Sequence, residues 1–121
     1  MSLGVWVAVA LLGGVGAVAR FVIDGAISAR GGREYPFGTL AVNASGALVL
    51  GGLTGLALSG TALLLAGTAT LGSYTTFSTW MLETHRMRED ARFRAALANV
   101  VISLAIGVGA AALGRVIGAH L

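Results

Sequence analysis

Apolar residues fill positions 3–23, 37–58, 62–82 and 95–117 almost without interruption, and the charged residues gather between these runs. Each run has about 20 residues, the length an α-helix needs to cross a hydrocarbon layer of roughly 30 Å. A helix pairs its backbone N–H and C=O groups within one segment, which lipid demands. Membrane-crossing strands would show shorter stretches of alternating polarity, and no such stretch is present. The pattern predicts an all-α membrane protein with four transmembrane helices in a single domain, residues 1–121. The connections are short. Positions 24–36 hold Gly31, Gly32 and the sole proline, Pro36, which suits a helix start. Positions 59–61 read as a tight turn, and the charged stretch 83–94 as an extension of the third helix beyond the membrane. The first run resembles a signal peptide only in its apolarity. It lacks a basic leading region and is expected to be retained.

Composition sharpens this picture. Of 121 residues, 56% are hydrophobic and 11% charged, and the mean hydropathy is +0.87. Soluble domains carry about 25% charge, so this chain could not cover a water-facing surface. A soluble enzyme, a disordered chain and a nucleic-acid module are excluded. The formal charge is +3, and every basic side chain is arginine. With no aromatic-basic surface to stack bases, these arginines read as membrane-edge anchors, and no nucleic-acid partner is expected. There is no cysteine, so thiolate metal sites and disulfides are unavailable. His85 and His120 are too far apart in sequence to suggest a metal site. Glycine is abundant, with 19 residues. Clusters at Gly13, Gly14 and Gly16, at Gly46, Gly51, Gly52 and Gly55, and at Gly107, Gly109, Gly114 and Gly118 fit close helix packing.

Polar residues inside a membrane are costly and usually mark function. Thr39 and Asn43 are four apart and share a face of the second helix. Asn99, Ser103 and Gly107 make a similar stripe on the fourth. Arg20 ends the first helix on the side where the second begins, so Arg20 and Asn43 can approach from one side. Each also has an ordinary reading: Arg20 as a snorkelling cation, Asn43 as an interhelical hydrogen-bond former. The third run is the anomaly, because Gly, Ser and Thr crowd 68–79. Serine and threonine bend helices by bonding back to the preceding turn, and Gly72-Ser73 is the expected break. Carbonyls freed there, with threonine hydroxyls, would suit an alkali cation. Phe77 and Trp80, three apart, share a face. They fit ordinary packing, or ring edges turned to an anion. Gly13-Gly14-Val15-Gly16 lies within a helix with no preceding strand, so it is no dinucleotide motif.

Three motifs resemble those of the CrcB (Fluc) family of fluoride channels: Gly13-Gly14-Val15-Gly16-Ala17-Val18-Ala19-Arg20, Phe37-Gly38-Thr39-Leu40-Ala41-Val42-Asn43-Ala44-Ser45-Gly46, and Thr75-Thr76-Phe77-Ser78-Thr79 with Glu83 downstream. The stripe of Asn99 and Ser103 fits a fourth, and the resemblance runs through all four helices in order. It implies a fluoride-selective channel for passive efflux across the cytoplasmic membrane. The channel would be an antiparallel, inverted dimer with two pores and a central structural sodium ion. Asn43, Phe77, Trp80 and Ser103 would line the pore with the hydroxyls of Thr39, Thr76 and Thr79. Arg20 and Glu83 would sit at the vestibule, and Gly72 and Thr75 would bind sodium. Trp80 departs from the family's usual second phenylalanine, where its indole N–H is a further donor. Ser73 replaces a usual glycine.

The alternative is a small four-helix proton-coupled drug or cation exporter, which needs a carboxylate at membrane depth. The first helix has none, since Asp24 lies beyond Arg20 and Glu83 ends the third run. Arg30, Arg33, Arg86, Arg88, Arg92 and Arg94 all fall in the first and third connections, on one membrane side. The positive-inside rule then puts both termini outside. Two partners are compatible with this: an inverted homodimer, or a heterodimer with an oppositely oriented homologue.

Overall fold

The structure, a computed structural model, describes residues 1–32 and 34–121, and all regular structure among them is helical. Helix α1 spans Leu3–Gly31. The Ser2 hydroxyl opens it by accepting the Val5 N–H at 3.2 Å, a first-turn donor that would otherwise lack a partner. Gly32, at φ 77°, closes it and donates its N–H to the Ser28 carbonyl. The helix therefore outlasts the apolar run by two turns. Once nucleated, each added residue gains a backbone bond, and Ser28 bonds the Asp24 carboxylate one turn back at 3.3 Å. Helix α2, Phe37–Gly55, starts directly after Pro36. The next reversal falls at 56–59, ahead of the expected turn, with Ala57 at φ 59°.

The third segment is compound. Helix α3, Gly60–Leu63, runs into a π-helical stretch, Leu64–Leu71, and then a single turn, α4, Gly72–Tyr74. Gly72 donates its N–H to the Gly67 carbonyl, five residues back, and the Thr70 hydroxyl reaches the Leu65 carbonyl at 2.7 Å with the same spacing. The chain is non-helical at 75–77 and becomes helical again as α5, Ser78–Glu89. The expected break at Gly72-Ser73 therefore lies three residues later. Gly72 and Ser73 remain helical, and Thr75 is the residue that turns extended, at φ −80° and ψ 161°. Helix α6, Phe93–Ala119, completes the fold.

Packing depends on missing side chains more than on large ones. Helices α2 and α6 lie backbone to backbone. A Cβ on Gly51 would strike the Ala111 carbonyl, one on Gly55 the Arg115 carbonyl, one on Gly114 the Leu48 carbonyl, and one on Gly118 the Gly52 carbonyl. Gly16 brings α1 equally close to the Thr70 carbonyl of the π stretch. Gly14, Gly107 and Gly109 face open space, so the glycine clusters only partly serve packing. Few residues are buried: Val42, Ala69, Met87 and Ala96 among the apolar ones, Thr39 and Asn99 among the polar ones. Large apolar side chains point outward instead, Phe21 at 80% and Leu97 at 66% exposure. Such a surface is stable in lipid and not in water. Three helices, α1, α2 and α6, are each long and apolar enough to cross a membrane.

Candidate functional site

The interruption at 75–77 is where polar chemistry collects. Breaking a helix strands backbone groups, and at membrane depth each needs a partner. Asn43, one turn and a half into α2, supplies two. Its Nδ2 donates to the Thr76 carbonyl and its Oδ1 accepts the Thr76 N–H, both at 2.8 Å. The Thr76 hydroxyl then accepts the Thr79 N–H at 3.1 Å, satisfying a first-turn donor of α5. On the other side of the break, Arg20 Nε donates to the Ser73 carbonyl at 3.3 Å. Thr75 returns its hydroxyl to the Leu71 carbonyl at 2.9 Å. Gly46, under the break, has no side chain because the Thr75 methyl and the Tyr74 ring occupy that space.

Two cavities flank these residues. An open groove of about 570 Å³ lies between α2, the compound segment and α6, and its walls include Asn43, Gly72, Thr75, Phe77, Trp80 and Ser103. A smaller chamber of about 310 Å³ lies against α1, walled by Arg20, Asp24, Thr39, Thr76 and Thr79 among others. Thr76 borders both. In the chamber the Thr39 hydroxyl is buried and has no hydrogen-bond partner among the described residues, and Thr39 itself is only 3% exposed. The remaining guanidinium N–H groups of Arg20 have no protein acceptor among the described residues, and no ion pair joins Arg20 to Asp24. Arg20 and Asp24 bring one charge of each sign to the chamber wall beside the Thr39 hydroxyl.

The aromatic pair stands at the groove. Phe77 and Trp80 meet edge to face, with ring centroids 5.7 Å apart and planes at 90°. Phe77 is 69% exposed. Trp80 is more tied down than its sequence position suggests. Its indole N–H donates to the Asn99 carbonyl at 3.0 Å, so the N–H expected as a free donor is already used. Asn99, 1% exposed, donates to the Thr84 hydroxyl at 2.8 Å. It also accepts the Ser103 hydroxyl at 3.3 Å. This network fastens α5 to α6. Nothing in the isolated positions 80, 84 and 99 signals it, because the partners are far apart in sequence.

The site residues read from the sequence thus separate into two groups. Asn43, Phe77, Trp80, Ser103, Gly72 and Thr75 share the groove, Arg20, Thr39 and Thr79 share the chamber, and Thr76 joins them. Glu83 is half-buried on α5 and lines neither cavity. The arginine-bearing connections do meet: Arg92 donates to the Glu34 carbonyl. Arg33 lies outside the described residues.

An all-helical chain with three membrane-length apolar helices and a polar interruption facing an intramembrane groove belongs to the class of multi-pass cell-membrane transport proteins. The family known as CrcB-like protein, Camphor Resistance (CrcB), matches residues 7–115, and the chain belongs to that family. Its relatives include the fluoride-specific ion channel FluC 2 of Mycolicibacterium paratuberculosis, 60% identical over 94% of this chain and 93% of the relative. The FluC 2 channel of Mycobacterium bovis is 51% identical over 95% and 91%. The fluoride-specific ion channel FluC 1 of Symbiobacterium thermophilum is 42% identical over 93% and 96%.

Proposed function

We propose that this chain forms a fluoride-selective channel for passive efflux across the cell membrane, with no catalytic step. Its relatives carry the name fluoride-specific ion channel. The observation that carries the reading is the broken helix whose polar groups line both a groove and an arginine-bearing chamber. Fluoride holds its water tightly, so a pore must replace that water with donors. Arg20 raises the anion concentration at the chamber, and the Thr39 and Thr79 hydroxyls replace hydration there. Beyond Thr76, the second Nδ2 hydrogen of Asn43 and the positive edge of Phe77 continue the path, and the Ser103 hydroxyl joins it by turning from Asn99 Oδ1 to the ion. Trp80 contributes its ring and not its N–H. Glu83 is assigned to the vestibule from the family motif alone.

Assembly belongs to the same proposal. A single-domain subunit, residues 1–121 with its four spans in the bilayer, pairs with an inverted copy or an oppositely inserted homologue. The dimer covers the exposed Phe77 and completes two pores. The donor set at the break fits the sodium ion that the family implies. Thr76 gives its N–H to Asn43, so the Gly72 carbonyl loses its α-helical partner, and the extended Thr75 turns its carbonyl off the helix line. Hard carbonyl oxygens suit an alkali cation. Gly72 and Thr75 would hold the ion, which supplies positive charge between the two pores. Liposomes carrying the protein should release fluoride down its gradient, measured with a fluoride electrode, and retain chloride. Equal release of both anions would overturn the proposal.

A further inference from the structure

The two hydrogen bonds between Asn43 and Thr76 do more than decorate a pore wall. A side-chain amide carries the same donor and acceptor as a peptide group. Asn43 presents both to Thr76, whose N–H and carbonyl lie at the break between the two halves of the helix. The Thr76 N–H is too late to join α4 and too early for α5, and its carbonyl has left the helix line with it. The bonds are short, at 2.8 Å each, and the adjoining side of α2 is well anchored, with Val42 fully buried. Gly46, one turn further along α2, leaves room for Thr75 and Tyr74 beneath the break.

We infer that Asn43 is a positioning residue that holds the break of the third segment in place at Thr76, and that its effect on transport passes through the break as well as through the ion. Without it, the Thr76 N–H and carbonyl would lose their side-chain partners, and 75–77 would open and sample other conformations. That would turn Phe77 and the Thr75 carbonyl away from the groove. The transport arm rests on the fluoride-channel reading; the structural arm does not. The test is amide hydrogen exchange at Thr76, on the full chain in lipid, together with fluoride efflux. The variants are Asn43→Ala, the near-isosteric Asn43→Asp, and Phe77→Ile as a comparison.

Asn43→Ala should raise exchange at Thr76 by about tenfold or more, because protection reports the local opening equilibrium. Asn43→Asp keeps the acceptor for the N–H and loses the donor to the carbonyl, so it should give a smaller rise. Both should lose most efflux. Phe77→Ile should lose efflux with exchange at Thr76 unchanged. The inference is overturned if either Asn43 variant loses efflux while Thr76 exchange stays at the native rate. Unprotected Thr76 in the native chain overturns it equally. A native chain that carries no fluoride but shows the exchange pattern removes the channel reading and leaves the clamp standing.

Discussion

The α2–α6 seam and the compound third segment solve the same problem in opposite ways. Both must pass chain through lipid with every polar group satisfied. The seam does it with uninterrupted helices whose glycines meet neighbouring backbone at Gly51, Gly55, Gly114 and Gly118. The third segment widens to a π-helix, tightens to one α turn, breaks, and restarts. It borrows hydrogen bonds from Asn43 and Arg20 on other helices to do so. The rigid pair gives the irregular one something to lean on, since Asn43 belongs to the seam helix. Irregular backbone in a membrane is thus cheap only beside a partner that is fixed. This division predicts that damage to the seam lowers stability and transport together, whereas damage at the break separates them.

The largest effect should come from Gly118→Val. Its Cβ would strike the Gly52 carbonyl, and backbone cannot move aside as a flexible side chain can. Overpacking typically costs about 1–3 kcal/mol, more where nothing yields, so little folded protein should be recovered from membranes. Gly14→Val, at a position facing open space, should fold like the parent. If both variants fold equally, the seam is not the rigid element. Next comes Phe77→Ile. Phe77 packs little within its own subunit, at 69% exposure, and isoleucine keeps an apolar side chain at the proposed dimer contact, so the thermal midpoint should move by only a few degrees, about what 1 kcal/mol gives in a domain of this size. Fluoride efflux should nevertheless drop by about tenfold or more. A fully active variant would return Phe77 to ordinary packing.

The smallest expected effect is that of Trp80→Phe. The family motif alone makes this a return to the usual residue. The structure adds a cost, because the Asn99 carbonyl loses its indole donor. A hydrogen bond of this kind contributes about 1 kcal/mol net. The variant should unfold at slightly lower temperature while retaining efflux. A large loss of efflux at unchanged stability would assign the indole a direct role at the ion.

What was legible in the sequence follows from the range of the forces involved. The spans could be read because membrane thickness sets a length and hydropathy marks it. The start of α2 could be read because Pro36 acts locally. The end of α1 could not, because a helix continues past the last apolar residue wherever water satisfies its outer face. The break was expected on the most flexible pair, Gly72-Ser73, yet it falls where Asn43 offers partners from 33 positions away. The π stretch has no comparable local signal, since Thr70 and Leu65 look like ordinary helix residues until the register is known. The groove residues were identified through motifs. Their division into groove and chamber, and the Trp80–Asn99 bond, depend on tertiary placement.

The glycine contacts also determine how such a chain can change over generations. In a soluble protein, tolerance to substitution rises from core to surface. Here the buried set is small, and the outward faces of α1 and α6 ask only for apolarity, so Val18, Leu97 or Val116 can be exchanged among aliphatic residues almost freely. Gly51, Gly55, Gly114 and Gly118 have no such freedom, because each faces a carbonyl that no neighbouring substitution can remove. Mutational tolerance should therefore vary around each helix rather than with depth. Along α6, two positions four residues apart stay fixed while the residues between them drift.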